Sequence, residues 1–239
     1  MSDKKYTLKQ VINSRTEEKV KIDNLDIWVR FIIRPVSFVL TFLILKVKVT
    51  ANQASFISML ISFLGLILVL FFHENGVLWA LFVFNFWIIF DAVDGNIARV
   101  TNTFSDKGTY VDAISGYLYL MILYITLGLG LYYQINDIKY LVLGFTISIM
   151  TIFPRLVLQK KMAMFGSDKS DVSSKKEYGF KEKIALNIAG PAGLMNPLML
   201  VAYFTDTLQQ YLIFYGIIQT VLGILTIFST FRSVLVDAK

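Results

Sequence analysis

The stretch Asp91-Ala92-Val93-Asp94-Gly95-Asn96-Ile97-Ala98-Arg99 closes an apolar run long enough to cross a bilayer, and eight residues later comes Gly108-Thr109-Tyr110-Val111-Asp112. Carboxylates are costly in a membrane-embedded helix, so a cluster of them there is a functional-site hypothesis by default. Asp91 and Asp94 are three residues apart, which puts them on one helix face about 4.5 Å apart along the axis. Asp112 stands near the start of the next apolar stretch, after a short polar turn. That spacing can bring three carboxylates to one point, and hard divalent cations such as Mg²⁺ are the natural occupants of an all-oxygen site.

Outward from this run, the chain reads as an integral membrane protein. Hydrophobic residues make up 56% of its 239 and aromatics 15%, more apolar than an ordinary soluble domain. It has no cysteine, which excludes a disulfide framework, a thiolate zinc site and a cysteine nucleophile. Residues Met1 to Lys21 are polar and lysine-rich with no short apolar core behind them, so no cleavable signal peptide is expected. Six segments approach the roughly 20 residues that a spanning helix needs: about 52–72, 77–99, 108–132, 138–160, 185–204 and 209–231. A seventh, about 27–47, carries Arg30, Arg34 and Pro35 and ends in Lys46-Val47-Lys48. That mixture suits an amphipathic helix lying in the headgroup plane.

Charge then sets the topology. Ten Lys and Arg precede residue 52, eight more fall in 155–183, and a six-span reading leaves only Lys139 of the 23 on the opposite side. By the positive-inside rule both termini, and the carboxylates with them, face the cytoplasm. The net charge of +6 is the basic rim expected beside anionic headgroups and needs no nucleic-acid partner. The fold class is therefore all-α integral membrane: six transmembrane helices preceded by an N-terminal interfacial amphipathic helix. Residues 1–48 form the cytoplasmic tail and interfacial helix, and 49–239 the six-helix membrane catalytic domain. Two features stay open at this level. The stretch Asn187 to Pro197 interrupts a membrane helix with two glycines and two prolines, which suits either an acceptor pocket or kinked packing. His73, the one histidine, lies in a turn across the membrane from the carboxylates and is not expected to act in catalysis.

Written as a pattern, the opening stretch is D-x2-D-G-x2-A-R-x8-G-x3-D, with Asp91, Asp94, Gly95, Ala98, Arg99, Gly108 and Asp112 at its fixed positions. This resembles the signature of the CDP-alcohol phosphotransferase family, whose members include phosphatidylserine, phosphatidylinositol and phosphatidylglycerophosphate synthases. The likeness extends to Val49-Thr50-Ala51-Asn52, similar to the segment that opens the family's first membrane helix but with Ala51 for its proline. It covers roughly residues 30 to 231.

The resemblance implies transfer of a substituted phosphate from a CDP-alcohol to a hydroxyl acceptor with release of CMP, in phospholipid or related membrane-lipid synthesis. It implies Mg²⁺ or Mn²⁺ on Asp91, Asp94 and Asp112, and nucleotide contacts from Asn52, Gly95, Ala98, Arg99 and Gly108. One of the two substrates is expected to be a lipid, a homodimer is among the arrangements implied, and the expected setting is a bacterial or archaeal cell membrane. Arg155, after Pro154, is a candidate contact for an acceptor phosphate or else a snorkelling arginine.

One departure matters. The family's fourth aspartate, assigned as general base, falls at Gly116 in this chain. Asp106 is the candidate substitute, ahead of Tyr117 and Tyr119, whose phenols stay protonated near neutral pH. A pseudoenzyme that binds CDP-alcohol or lipid without transfer is the alternative. A prenyltransferase-like enzyme or a cation transporter is more remote, since neither needs the glycine, alanine and arginine at these offsets.

Overall fold

The computed structural model describes residues 6–166, 179, 187–188, 190 and 192–237, and among these the chain is helical with no strand. Two short helices, α1 (Leu8–Asn13) and α2 (Glu17–Asp23), lead through a π-helical turn at Val29–Ile33 into α3 (Arg34–Lys46). Long apolar helices follow: α4 (Ala51–Phe72), α5 (Glu74–Thr101), α6 (Asp106–Ile135) and α7 (Ile138–Phe165). The shorter α8 (Met195–Phe204) and the long α9 (Leu208–Asp237) complete the series. Five of these helices are long and apolar enough to cross a membrane. The expected fifth span, 185–204, is represented by the ten apolar residues of α8, and residues 185, 186, 189 and 191 of its first half lie outside the described residues. The expected helix over 27–47 is present as the π turn and α3.

The turns show why consecutive helices run antiparallel. Thr50 caps α4 reciprocally: its hydroxyl accepts from the Gln53 amide at 3.3 Å, and the Gln53 side chain accepts from the Thr50 amide at 2.9 Å. Such a box satisfies two amides that the first helical turn leaves over. His73 joins α4 to α5 with φ of 50°, its ring edge-on to Tyr133 at 4.5 Å. Asn102 and Asn136 end α5 and α6 in the left-handed conformation, which asparagine tolerates better than most residues. The start of α4, the end of α5, the start of α6 and the end of α7 therefore share one end of the bundle. His73 and Asn136 lie at the other.

The outer surface is apolar. Phe56, Phe63, Phe71, Trp79, Phe145 and Phe153 are all exposed, a surface that suits lipid rather than water as its neighbour. Inside, Trp87 stacks on Tyr119 with ring centroids 3.8 Å apart and planes within 6°. Where α6 and α7 cross, Gly128 and Gly144 let the backbones touch. A Cβ at Gly128 would lie 2.6 Å from the Tyr140 carbonyl, and one at Gly144 would lie 2.5 Å from that of Tyr124. Small residues at such crossings are what holds membrane helices together, because lipid supplies no hydrophobic force between them. Pro154, inside α7, cannot donate to the carbonyl one turn before it. Gly223 of α9 packs against that carbonyl, on Met150, so closely that a Cβ would sit 2.6 Å away.

The interrupted segment before α8 is held by side chains. Asn85 donates to the Asn196 carbonyl at 3.1 Å, and Tyr211 donates to the Met195 carbonyl at 2.9 Å. Tyr119 donates to the Asn196 side chain at 2.5 Å. Asn187 donates to the Leu25 carbonyl at 2.8 Å and accepts from the Ile27 amide at 3.0 Å. These contacts tie the start of α8 to α5, α6 and α9, and Asn187 to the segment before the π turn.

A methyl placed at the closest crossing has nowhere to go. Gly144→Ala is expected to lower stability by about 1–3 kcal/mol, the usual cost of overpacking, read as a lower thermal midpoint in detergent. Gly116→Ala, whose Cβ meets nothing within 4 Å, is the control and should unfold within a degree or two of the parent.

Candidate active site

Asp91 and Asp94 stand two turns or more from the end of α5, and Asp112 two turns into α6, so the three carboxylates share one end of the bundle. Asp94 is buried at 7% exposure and accepts a hydrogen bond from the Ser55 hydroxyl of α4. Asp91 is half-buried and Asp112 exposed. The three lie within electrostatic reach of one another and repel. Among the described residues, none of them is ion-paired to Lys or Arg within 4 Å. Nor do three carboxylate or histidine side chains, as placed, close into a ligand set.

The donor chemistry suits a hard cation: three carboxylates, no nitrogen or sulfur ligand, and mutual repulsion that a bound cation would relieve. Behind Asp94 the wall is hydroxylic. Ser58 and Ser115 share a hydrogen bond of 2.6 Å that ties α4 to α6, one helical turn from Ser55 and beside Asp112 in sequence respectively.

Arg99 folds back over Gly95, so that a Cβ there would lie 3.2 Å from its guanidinium. It donates to the Asn96 side chain at 2.7 Å. Asn96 is fully buried and itself donates to Ser37 at 3.2 Å and Thr41 at 3.1 Å on α3. One amide therefore fixes both the arginine and the interfacial helix. Asn52 and Gly108 also meet: a Cβ on the glycine would lie 3.1 Å from the Asn52 side-chain oxygen. Thr50 takes the helix-capping role, leaving Asn52 exposed on the first turn of α4. Ala98 is half-buried on α5 beside this surface.

The remaining candidates lie farther out. Asp106 is the exposed first residue of α6, after the Ser105 cap. Six residues at 100° each turn it about 120° away from Asp112 around the helix. Arg155 donates to the Thr151 carbonyl at 3.1 Å on its own helix and lies within electrostatic reach of Tyr117 and Tyr124. Tyr119 is fully buried in its stack on Trp87. Gly116 borders open space.

The sequence profile of CDP-alcohol phosphatidyltransferases matches residues 48–231. The chain belongs to the CDP-alcohol phosphatidyltransferase family. No curated protein matches it. The matched range holds the whole carboxylate pattern and α4 to α8, and it stops short of α1, α2 and α3. At the family level the chain is thus a transferase that uses CDP-alcohols.

Two further features come only from the structure. Asn96 is one. The other is α2, whose Lys19, paired with Asp23 at 3.8 Å, lies within electrostatic reach of Asp91, Asp112 and Arg99. Burial, and next the Arg34 guanidinium, holds the Lys19 ammonium below its ordinary pKa.

Removing the Asn96 amide leaves Arg99 without its partner and α3 without its tie. Asn96→Ala is expected to cost about 1–3 kcal/mol in thermal unfolding and to open residues 24–50 to limited proteolysis while the long helices stay intact. Unchanged resistance in that segment would place the anchor of α3 elsewhere.

Proposed function

We propose that this protein catalyses divalent-metal-dependent transfer of a substituted phosphate from a CDP-alcohol to a hydroxyl acceptor, with one of the two substrates a lipid. The observation that carries it is the trio of carboxylates at one end of α5 and α6, none of them ion-paired to Lys or Arg among the described residues, beside a surface of small residues. Asp91, Asp94 and Asp112 would hold Mg²⁺ or Mn²⁺. When bound, the cation supplies positive charge to the diphosphate oxygens at the attacked phosphorus.

The chain's own residues do the rest. Gly95, Ala98 and Gly108 leave room for the nucleotide to approach the backbone, with Asn52 at its edge. Arg99, preset by Asn96, offers a forked donor to phosphate oxygens. Ser55 keeps Asp94 oriented by its hydroxyl. The acceptor oxygen forms a new bond to the phosphorus that carries the alcohol, and the bridging bond to CMP breaks, so that CMP leaves with the electron pair. Asp106 is the proposed sink for the hydroxyl proton. Its turn away from Asp112 means that the proton reaches it through water. Arg155 is the proposed anchor for an acceptor phosphate.

The open space at Gly116 supports this reading in two ways: it admits a bulky acceptor, and it leaves room to restore a carboxylate. The basic residues gathered at the termini and in 155–183 support a cytoplasmic active face by the positive-inside rule. The setting proposed is a bacterial or archaeal cell membrane.

Purified protein in detergent with Mg²⁺ or Mn²⁺ should release CMP from one member of a panel of CDP-alcohols paired with hydroxyl acceptors. Asp94→Asn should abolish release, and Asp106→Asn should slow it by about 10²-fold or more, the usual worth of a general base. A silent parent beside an active Gly116→Asp variant would make this a binding protein on an enzyme's frame instead.

A further inference from the structure

A cavity walled by residues that precede the family-matched range lies between α1, the end of α2 and α3. It has a volume of about 350 Å³, and its polar side is lined by Arg15, Arg30 and Arg34 together with Asp23 and Asn24. Leu8, Ile12 and Val39 are among its apolar walls.

Charge there is unbalanced. Asp23 takes Arg34 at 2.8 Å, Arg15 at 3.4 Å and Lys19 at 3.8 Å, three cations on one carboxylate, with Arg30 on the rim beside them. Arg34 is 8% exposed, and its Nε is buried with no hydrogen-bond partner. A buried guanidinium N–H without an acceptor is costly, and a planar fork of such donors fits phosphate oxygens. Phe31, Val36 and Val39, exposed on α3 and the turn before it, carry an apolar surface away from the arginines, as on a helix lying in the headgroup plane.

We infer that this cavity is a second binding site, for a phosphate group borne on an apolar tail such as the headgroup of an anionic phospholipid. The phosphate meets the guanidinium groups of Arg15, Arg30 and Arg34 that line the cavity, and the tail leaves past Val39. Asp23 stays as the internal carboxylate that keeps the arginines in place. The inference does not depend on the chemistry at Asp91, Asp94 and Asp112. A lipid here would fasten α1 and α2 over the end of the bundle where Lys19 lies within electrostatic reach of Asp112.

The test uses the full chain in neutral detergent, titrated separately with dioleoyl phosphatidic acid, dioleoyl phosphatidylcholine and inorganic phosphate, with bound ligand counted by native mass spectrometry. Phosphatidic acid is expected to bind at one site, and Arg15→Gln/Arg30→Gln to weaken it about tenfold or more through two lost charge-assisted contacts. Arg34→Lys, which keeps a cation for Asp23 but removes the forked guanidinium, should weaken it too, while Lys139→Gln at the other end of the bundle should change nothing. Equal binding of phosphatidylcholine, or equal loss in Lys139→Gln, would overturn the site as an arginine-built one. Inorganic phosphate binding as tightly as phosphatidic acid would overturn the tail. Displacement by CDP would merge this cavity with the carboxylate site and overturn its independence.

Discussion

Asp94 is a carboxylate buried among membrane helices, and most of what surrounds it answers that cost. A charged side chain at the centre of a spanning helix is disfavoured by about 2.5–3.5 kcal/mol on insertion scales. Asp94 stands about two turns from the end of α5, where the penalty is smaller, and a hydrogen bond to a charged group returns about 1.5–3 kcal/mol. The Ser55 hydroxyl therefore offsets much of the penalty for one carboxylate. It does nothing for the repulsion from Asp91 and Asp112. Among the described residues no Lys or Arg lies within 4 Å of the three carboxylates, and a bound cation would relieve that residual repulsion. A protein selected for stability alone would have no reason to keep three such groups together.

The constraint radiates outward. Carboxylates on α5 and α6 need hydroxylic walls, which α4 supplies through Ser55 and Ser58. Arg99 must remain available beside the acids, so it is tethered by Asn96 rather than by an acid of its own. Asn96 in turn reaches α3, and α3 bears Arg34, which together with Arg15 and Lys19 gathers on Asp23. At the far side of the core, Asn85, Tyr119 and Tyr211 hold the start of α8 in place. Two polar arrays, one under the acids and one under the break, fix helices that lipid alone would leave free to slide.

The long helices could be read from the sequence because length and apolarity are the whole requirement for crossing a bilayer. The carboxylate pattern could be read because its spacing is local. What escaped was whatever depends on a distant partner. Helices α1 and α2, of six and seven residues, are too short to be stable alone, and their lysine-rich stretch read as a tail. They form because Val11 is buried and Asp23 collects three cations. Asn96 sat in plain view within the motif, yet its task depends on where α3 comes to lie. The ties from Asn85 and Tyr211 to the first carbonyls of α8 likewise join residues far apart in the sequence.

The central claim is that Asp91, Asp94 and Asp112 act together on one divalent cation. Mn²⁺ binding to the purified protein, followed by electron paramagnetic resonance without any substrate, tests this most directly. Saturable binding to the parent that is lost or weakened at least about tenfold in each of Asp91→Asn, Asp94→Asn and Asp112→Asn is the result expected, since each removes one anionic ligand. Binding of equal strength in the parent and all three variants would contradict it.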